Sequence, residues 1–421
     1  MSDPVLDAAG SSLPLSPPAR SAQPASSRAR GDARAASAGK EHLIDAMRGF
    51  AALLVAYFHC RQVVWVGIQA FYHSVGRSFS PSALAAYLTF PIAWGSAGVP
   101  IFFVISGYCI HRGGAMRLAD NPAYRLDARH FWLRRFARIY PVLLAALLLT
   151  FALDSLSLQL PPVSHKIGDT GLRTFIVNLL SLQGVAGNTY GSNGALWTLS
   201  LEVQFYAIYP LLFALRRRIG INAVVAGVAA INVVSAFVLE RHDIQFFTSY
   251  WFSWMLGAWI ADAQASRASN TRVAGWFYWL AAAFGAAGCV AFHFGQYAAF
   301  QFWALAFACY LHKALAPRAL AERAASGIRA LLDGLAAAGS RILARFGDFS
   351  FSLYLIHLPI FVLLSSWLFR SSLQMSIWPS FAYMLVAVPA AWVFYRVVEL
   401  PAMKWSASFK SRSVSAARLT Q

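Results

Sequence analysis

Two ionisable side chains stand at the ends of one apolar run. In "RGFAALLVAYFH", Arg48 opens the run and His59 closes it eleven positions later, with no charge between them. Holding an arginine at the centre of a bilayer costs about 3 kcal/mol on insertion scales, so ionisable groups inside a spanning helix are functional candidates by default. Eleven residues is close to three helical turns. Both side chains therefore leave the same side of a helix, roughly 16 Å apart along its axis. A histidine titrates near neutrality and accepts a proton there. The arginine either snorkels to the membrane surface or binds an anion.

Other apolar stretches carry similar groups. Glu202 lies inside "LWTLSLEVQFYAIYP", where a carboxylate needs a histidine or arginine partner, or a raised pKa. His357, in "SFSLYLIHLP", is either a site group or a core histidine bonded to a backbone carbonyl. In "RRFARIYP", Arg135 and Arg138 are three apart and share a helix face. They read as topology-setting cations or as a bidentate clamp for phosphoryl oxygens. In "FFVISGYCIHR", Ser106 and Gly107 are small enough for close helix contact, and Arg112 ends the run. Glu399, in "VVELP", reads as a site carboxylate or as a surface partner of Arg396. Cys60, Cys109, Cys289 and Cys309 have neither metal-ligand nor disulfide-framework spacing, so no metal site is expected and they read as small buried hydrophobes.

The elements that must position these groups are membrane helices. Of 421 residues, 58% are hydrophobic and only 12% are charged, half the charged fraction of a soluble domain. A bilayer core of about 30 Å takes about 20 apolar residues. Ten runs qualify, at about 47–66, 96–112, 139–158, 196–215, 221–239, 246–263, 274–292, 298–315, 350–369 and 379–398. The second reaches back through "LAAYLTFPIAW", interrupted at Pro91, and Leu172 to Leu182 is too short to span. With the N-terminus in the cytoplasm, only Arg61, Arg77, Lys166, Arg173, Arg241 and Arg370 of the 35 Lys and Arg fall outside, as the positive-inside rule requires. The expectation is an all-α integral membrane protein, a bundle of about ten transmembrane helices with both termini cytoplasmic. Orientation accounts for the net charge of +18, and no nucleic acid is expected as a partner. Residues 1–42, rich in Ser, Pro, Ala and Arg, predict a disordered basic tail. Residues 43–401 form the transmembrane domain, and 402–421 a short basic cytoplasmic tail.

Five blocks in this order resemble the membrane-bound acyltransferase family 3, the bacterial O-acyltransferases of surface glycans. They are Arg48 with His59, "FFVISG" (102–107), "RRFARIYP" (134–141), "WTLSLEVQFY" (197–206) and "SFSLYLIH" (350–357). The resemblance covers about residues 42–401. It implies a multi-pass enzyme of the bacterial inner membrane. Such an enzyme passes an acyl group, commonly acetyl, from cytoplasmic acyl-CoA to a hydroxyl of a cell-surface or periplasmic glycan or lipid-linked saccharide. Acyl-CoA would be the donor substrate, with no permanently bound cofactor. His59 would act as general base or covalent acyl carrier, with Glu202 fixing its tautomer. Arg48, Arg135, Arg138 and Arg112 would hold the acyl-CoA, and Ser106, His357 and Trp197 are further site candidates. Where the family often has aspartate after Val99, this chain has Pro100, so any role of that carboxylate is absent. No hydrolase-like domain is expected after Pro401, which leaves the membrane domain to act alone. The alternative is a multi-helix transporter exporting a glycolipid or small anion through a polar path made of the same groups.

Overall fold

A computed structural model describes residues 25–76, 78–242, 244–266, 273–316 and 328–409. The chain divides into two units, Met1–Glu41 and His42–Gln421. The first contributes the opening turns of α1 (Ala25–Val64). The tail 1–42, expected to be disordered, overlaps this helix from Ala25 onward. From Ala25 to Val64 the chain holds no proline, and its Ala and Arg residues favour helix. The rest of the expected tail, 1–24, lies outside the described residues, as does 410–421.

In the second unit, α1 is followed by α2 (Ile68–Val75), α3 (Pro81–Leu88) and a 3₁₀ stretch, Phe90–Ala97, that contains Pro91 and leads into α4 (Gly98–Asp120). Next come α5 (Ala128–Ser157), the short α6 (Leu172–Leu179), α7 (Leu196–Ile219) and α8 (Ile221–Leu239). Then follow α9 (Trp251–Ala265), α10 (Phe277–Ala291), α11 (Gln296–Ala314) and α12 (Ile328–Asp348). The chain continues through α13 (Ser350–Phe369), α14 (Trp378–Phe394), a π-helical turn (Tyr395–Glu399) and α15 (Leu400–Ser408). Helices are the only extended regular elements among the described residues.

Each of the ten apolar runs falls on a helix, and among the described residues seven spans are long and apolar enough to cross a membrane. α9 and α10 have 15 residues each, about 22 Å at 1.5 Å per residue, less than a bilayer core of about 30 Å. Element α12 has no counterpart among the ten runs. It mixes exposed Leu335 and Ile342 with exposed Arg341 and Arg345, too polar a pattern for a hydropathy reading to find.

Outward faces are apolar. Leu144, Leu148 and Phe151 are exposed on α5, and Val233, Val234 and Phe237 on α8, patches that suit lipid rather than water. Lipid supplies no hydrophobic drive between helices, so small residues must let backbones approach. A Cβ on Gly107 of α4 would lie 1.9 Å from the Trp254 carbonyl oxygen, and one on Gly257 of α9 would lie 1.9 Å from that of Val104. Gly49 and Gly347 join α1 to α12 in the same way, with 1.9 Å to the Leu343 oxygen and 2.1 Å to the Asp45 oxygen.

Candidate active site

His59 on α1 meets His357 on α13. Nδ1 of His59 lies 2.8 Å from Nε2 of His357, and the rings are nearly parallel, at 8° with centroids 5.1 Å apart. Nδ1 of His357 lies 2.9 Å from the Leu353 carbonyl oxygen. A carbonyl only accepts, so with both rings neutral His357 carries its proton on Nδ1 and offers a lone pair at Nε2. His59 then donates from Nδ1, which leaves its own Nε2 with a lone pair. The hydrogen-bond partners assign this tautomer. An imidazole fixed in this form is ready to take a proton.

The position of α13 depends on a proline. Pro359 has no N–H, so the Leu355 carbonyl, four residues earlier, loses its helical donor. Asn193, buried in the loop before α7, donates to that oxygen at 2.8 Å and to Thr150 Oγ1 on α5 at 3.0 Å. Its neighbour Ser192 donates from N (2.8 Å) and Oγ (2.5 Å) to the Asp154 carboxylate of α5. Pro210 repeats the device in α7. It frees the Tyr206 carbonyl, which accepts from Trp132 Nε1 at 3.0 Å. Two helix-interior prolines thus create backbone acceptors that side chains from other elements fill.

A cavity of about 350 Å³ lies among α1, α4, α5, α7, α12, α13 and the π turn. Arg48, Arg135, Arg138, Ser106 and Glu202 all line it. Arg48 pairs with Asp45 at 3.1 Å and donates to Cys109 Sγ at 3.2 Å. Trp254 Nε1 donates to Ser106 Oγ at 3.3 Å, and Ser106 donates to Glu202 Oε1 at 3.1 Å. Tyr206 also donates its hydroxyl to Glu202 Oε1. Glu399 is 2% exposed and accepts from the Ser352 N–H (3.2 Å) and Oγ (2.6 Å). It is therefore a buried cavity carboxylate and no surface partner of Arg396, whose guanidinium lies over Trp392.

The basic groups differ from these satisfied carboxylates. Arg135 rests over the rings of Phe131 and Tyr206, at 5.5 and 5.8 Å, and its Nε is buried without a partner. Neither Arg135 nor Arg138 forms an ion pair with a described residue. Arg135 and Arg138 thus face the cavity without a direct ion pair, although the carboxylates of Asp45, Glu202, Asp348 and Glu399 share its lining, and guanidiniums with donors to spare suit phosphoryl oxygens.

The structure brings together five of the expected residues in this cavity and pairs two others, His59 with His357. Glu202, expected beside His59, is held by Ser106 and Tyr206, and the acceptor for His59 Nδ1–H is His357 Nε2. Arg112 does not line the cavity, and Trp197 lines a second one. Tyr354 connects the parts. It lines the first cavity, accepts from Thr198 Oγ1 at 2.7 Å, and its ring meets His357 edge-on at 5.9 Å. Tyr206, Tyr354 and Asn193 were not singled out from the sequence. The signal for Asn193 was Pro359, whose freed carbonyl had to be satisfied by something. Among the described residues no cluster of His, Cys, Asp and Glu could hold a metal ion.

Residues 41–396 match the acyltransferase domain of the acyltransferase 3 family. The chain is 26% identical over 344 residues to the acyltransferase MdmB of Streptomyces mycarofaciens, covering 75% of this chain and 77% of that protein. It is 26% identical over 225 residues to nodulation protein 10 of Rhizobium leguminosarum bv. viciae, covering 49% and 53%. To the peptidoglycan O-acetyltransferase OatA of Listeria monocytogenes it is 30% identical over 142 residues, covering 32% and 22%. The chain thus spans about half of the nodulation protein and less than a quarter of the O-acetyltransferase. No solved structure matches it. With nearly the whole helical domain matched, the chain belongs to the acyltransferase 3 family and is a multi-pass membrane acyltransferase.

Proposed function

We propose that the protein transfers an acyl group, acetyl by the family resemblance, from acyl-CoA at the cytoplasmic face of the bacterial inner membrane to a hydroxyl of a periplasmic or surface glycan. The observation that carries this reading is the His59–His357 pair, which leaves His59 Nε2 as a base, joined through Tyr354 to a cavity with two unpaired arginines. The name of the Listeria relative, a peptidoglycan O-acetyltransferase, supports the glycan class, and the charge distribution supports two cytoplasmic termini and about ten crossings.

In this mechanism Arg135 and Arg138 take phosphate oxygens of the donor, and the pantetheine arm extends past Tyr354. As the acceptor oxygen attacks the thioester carbonyl, its proton moves to His59 Nε2. The C–S bond breaks, the thiolate leaves, and the imidazolium returns the proton to sulfur. One thioester and one hydroxyl give one ester and one CoA thiol. His357 accepts from His59 Nδ1–H throughout and stabilises the imidazolium. No permanently bound cofactor takes part.

The test is release of CoA thiol and formation of glycan ester by purified protein in lipid nanodiscs with acetyl-CoA. His59→Ala is expected to lower turnover about 10²–10⁴-fold, the usual weight of a general base, while the protein stays inserted. Arg135→Ala and Arg138→Ala are expected to raise KM for acetyl-CoA at least about tenfold, the loss of a charge-assisted hydrogen bond. Full activity of His59→Ala overturns the assignment. Glycan export without thiol release would mark a transporter instead.

A further inference from the structure

We propose that a second cavity, behind the first turn of α7, is the acceptor site and takes an uncharged sugar unit; this rests on the glycan reading above. The cavity measures about 590 Å³, within the range of small-molecule sites. Its side chains include Asn188, Thr189, Gln245 and Ser249, with the rings of Trp197 and Tyr250. Among the described residues no Lys, Arg, Asp or Glu lines it. The first cavity, by contrast, has three arginines and four carboxylates. Neutral amides and hydroxyls beside aromatic faces match a polyhydroxylated, uncharged ligand. Such a ligand offers both hydroxyls to bond and C–H faces to pack on rings. A charged ligand would enter without a counter-charge and lose its hydration.

The walls are built in advance. Gly184 has φ +87° and accepts from the Gln245 N–H at 3.0 Å, while its own N–H donates to Gly187 O at 2.7 Å. A Cβ at Gly184 would fall 2.8 Å from the Gln245 carbonyl oxygen, so only glycine allows these two loop segments to meet. Asn178 donates to the Asn188 carbonyl at 2.9 Å and accepts from the Tyr190 N–H at 3.1 Å. Ser200 donates to the Ser181 and Gln183 carbonyls at 2.9 and 3.0 Å. A rim ordered before binding spares the ligand that entropy cost.

Its position ties it to the histidines. Trp197 lines this cavity, whereas Thr198, the next residue, lines the first and donates to Tyr354. One turn of α7 is therefore the partition between donor and acceptor chambers. Gly194 also lines the second cavity, and a Cβ there would be 3.8 Å from Leu358, the residue after His357. Gly194 thus places the wall of this chamber beside α13, the helix that carries His357.

The test uses cells carrying the full-length protein. Alkali-labile esters on the surface glycan are measured, the acylated unit is identified by mass spectrometry, and acetyl-CoA affinity is measured on the purified variants. Asn188→Trp fills the rim, and Gln245→Glu adds a charge; both residues are exposed and neither holds the core. Each is expected to lower ester content at least tenfold with acetyl-CoA affinity unchanged within twofold, and the esterified unit is expected to be a neutral sugar. Wild-type ester content in both variants overturns the acceptor site. An ester confined to an anionic sugar overturns the ligand class. Absence of any ester lost on gene deletion, with no acetyl-CoA binding by the wild-type protein, overturns the glycan reading itself.

Discussion

A histidine serves as a base only when one ring nitrogen is bare and turned to the substrate, and the bond made by the other nitrogen decides which. Here that bond joins His59 to His357, and the Leu353 carbonyl sets the proton on the second ring. His357→Ala removes the acceptor for His59 Nδ1–H, so turnover is expected to fall about 10–100-fold, the weight of one to two net hydrogen bonds. KM for acetyl-CoA should stay unchanged, because His357 does not line the cavity that holds Arg135 and Arg138. His357→Gln, whose amide oxygen can accept, should restore part of the rate. Steady-state kinetics of both variants check this, and equal rates for the two would refute an orienting role. Glu202, bound to Ser106 and Tyr206, has a different role. Glu202→Gln is expected to leave the pH–rate profile of His59 in place, and a displaced profile would show that the carboxylate acts on the base.

At the scale of elements, the device that holds the site is a proline without a helical hydrogen bond and a side chain that replaces it. Asn193→Leu leaves the Leu355 carbonyl buried and unpaired, at a cost of about 1–3 kcal/mol, expected as a lowered thermal midpoint in detergent. In a Pro359→Ala background the restored N–H reaches that carbonyl, so the same substitution should cost less. A double-mutant cycle measures the difference, and strict additivity would refute the link. The glycine pairs at Gly107–Gly257 and Gly49–Gly347 act at the same scale. They bring α4 to α9 and α1 to α12 closely enough for Asp45, Arg48, Gly347 and Asp348 to share one cavity wall.

At the scale of the whole molecule, a cavity with three arginines and a second cavity whose described lining is uncharged lie on either side of one helical turn, and the orientation of the chain decides which faces the cytoplasm. With the four native cysteines replaced, a cysteine at Asn188 is expected to react with a membrane-impermeant maleimide added outside intact spheroplasts. One at Ala337, exposed on α12, should react only after permeabilisation. The reverse pattern would refute two cytoplasmic termini. Membership of the acyltransferase family makes the chemistry acyl transfer, while the lining of each cavity bears on which substrate enters from which side.

The sequence by itself determined the class of this protein, because each helix's preference for lipid is a property of its own residues and needs no partner. The same holds for the residue types of the five blocks, and Arg48, Arg135, Arg138, Ser106 and Glu202 do meet in one cavity. Only the tertiary structure decided who pairs with whom. His59 and His357 are 298 positions apart, and nothing local to either chooses His357 over Glu202. That choice follows from where Pro359 and Asn193 hold α13. The start of α1 at Ala25, the amphipathic α12 and the division into two chambers were likewise invisible to a hydropathy reading. Apolarity places a segment in the membrane, but close packing between segments remote in sequence sets which polar groups face one another.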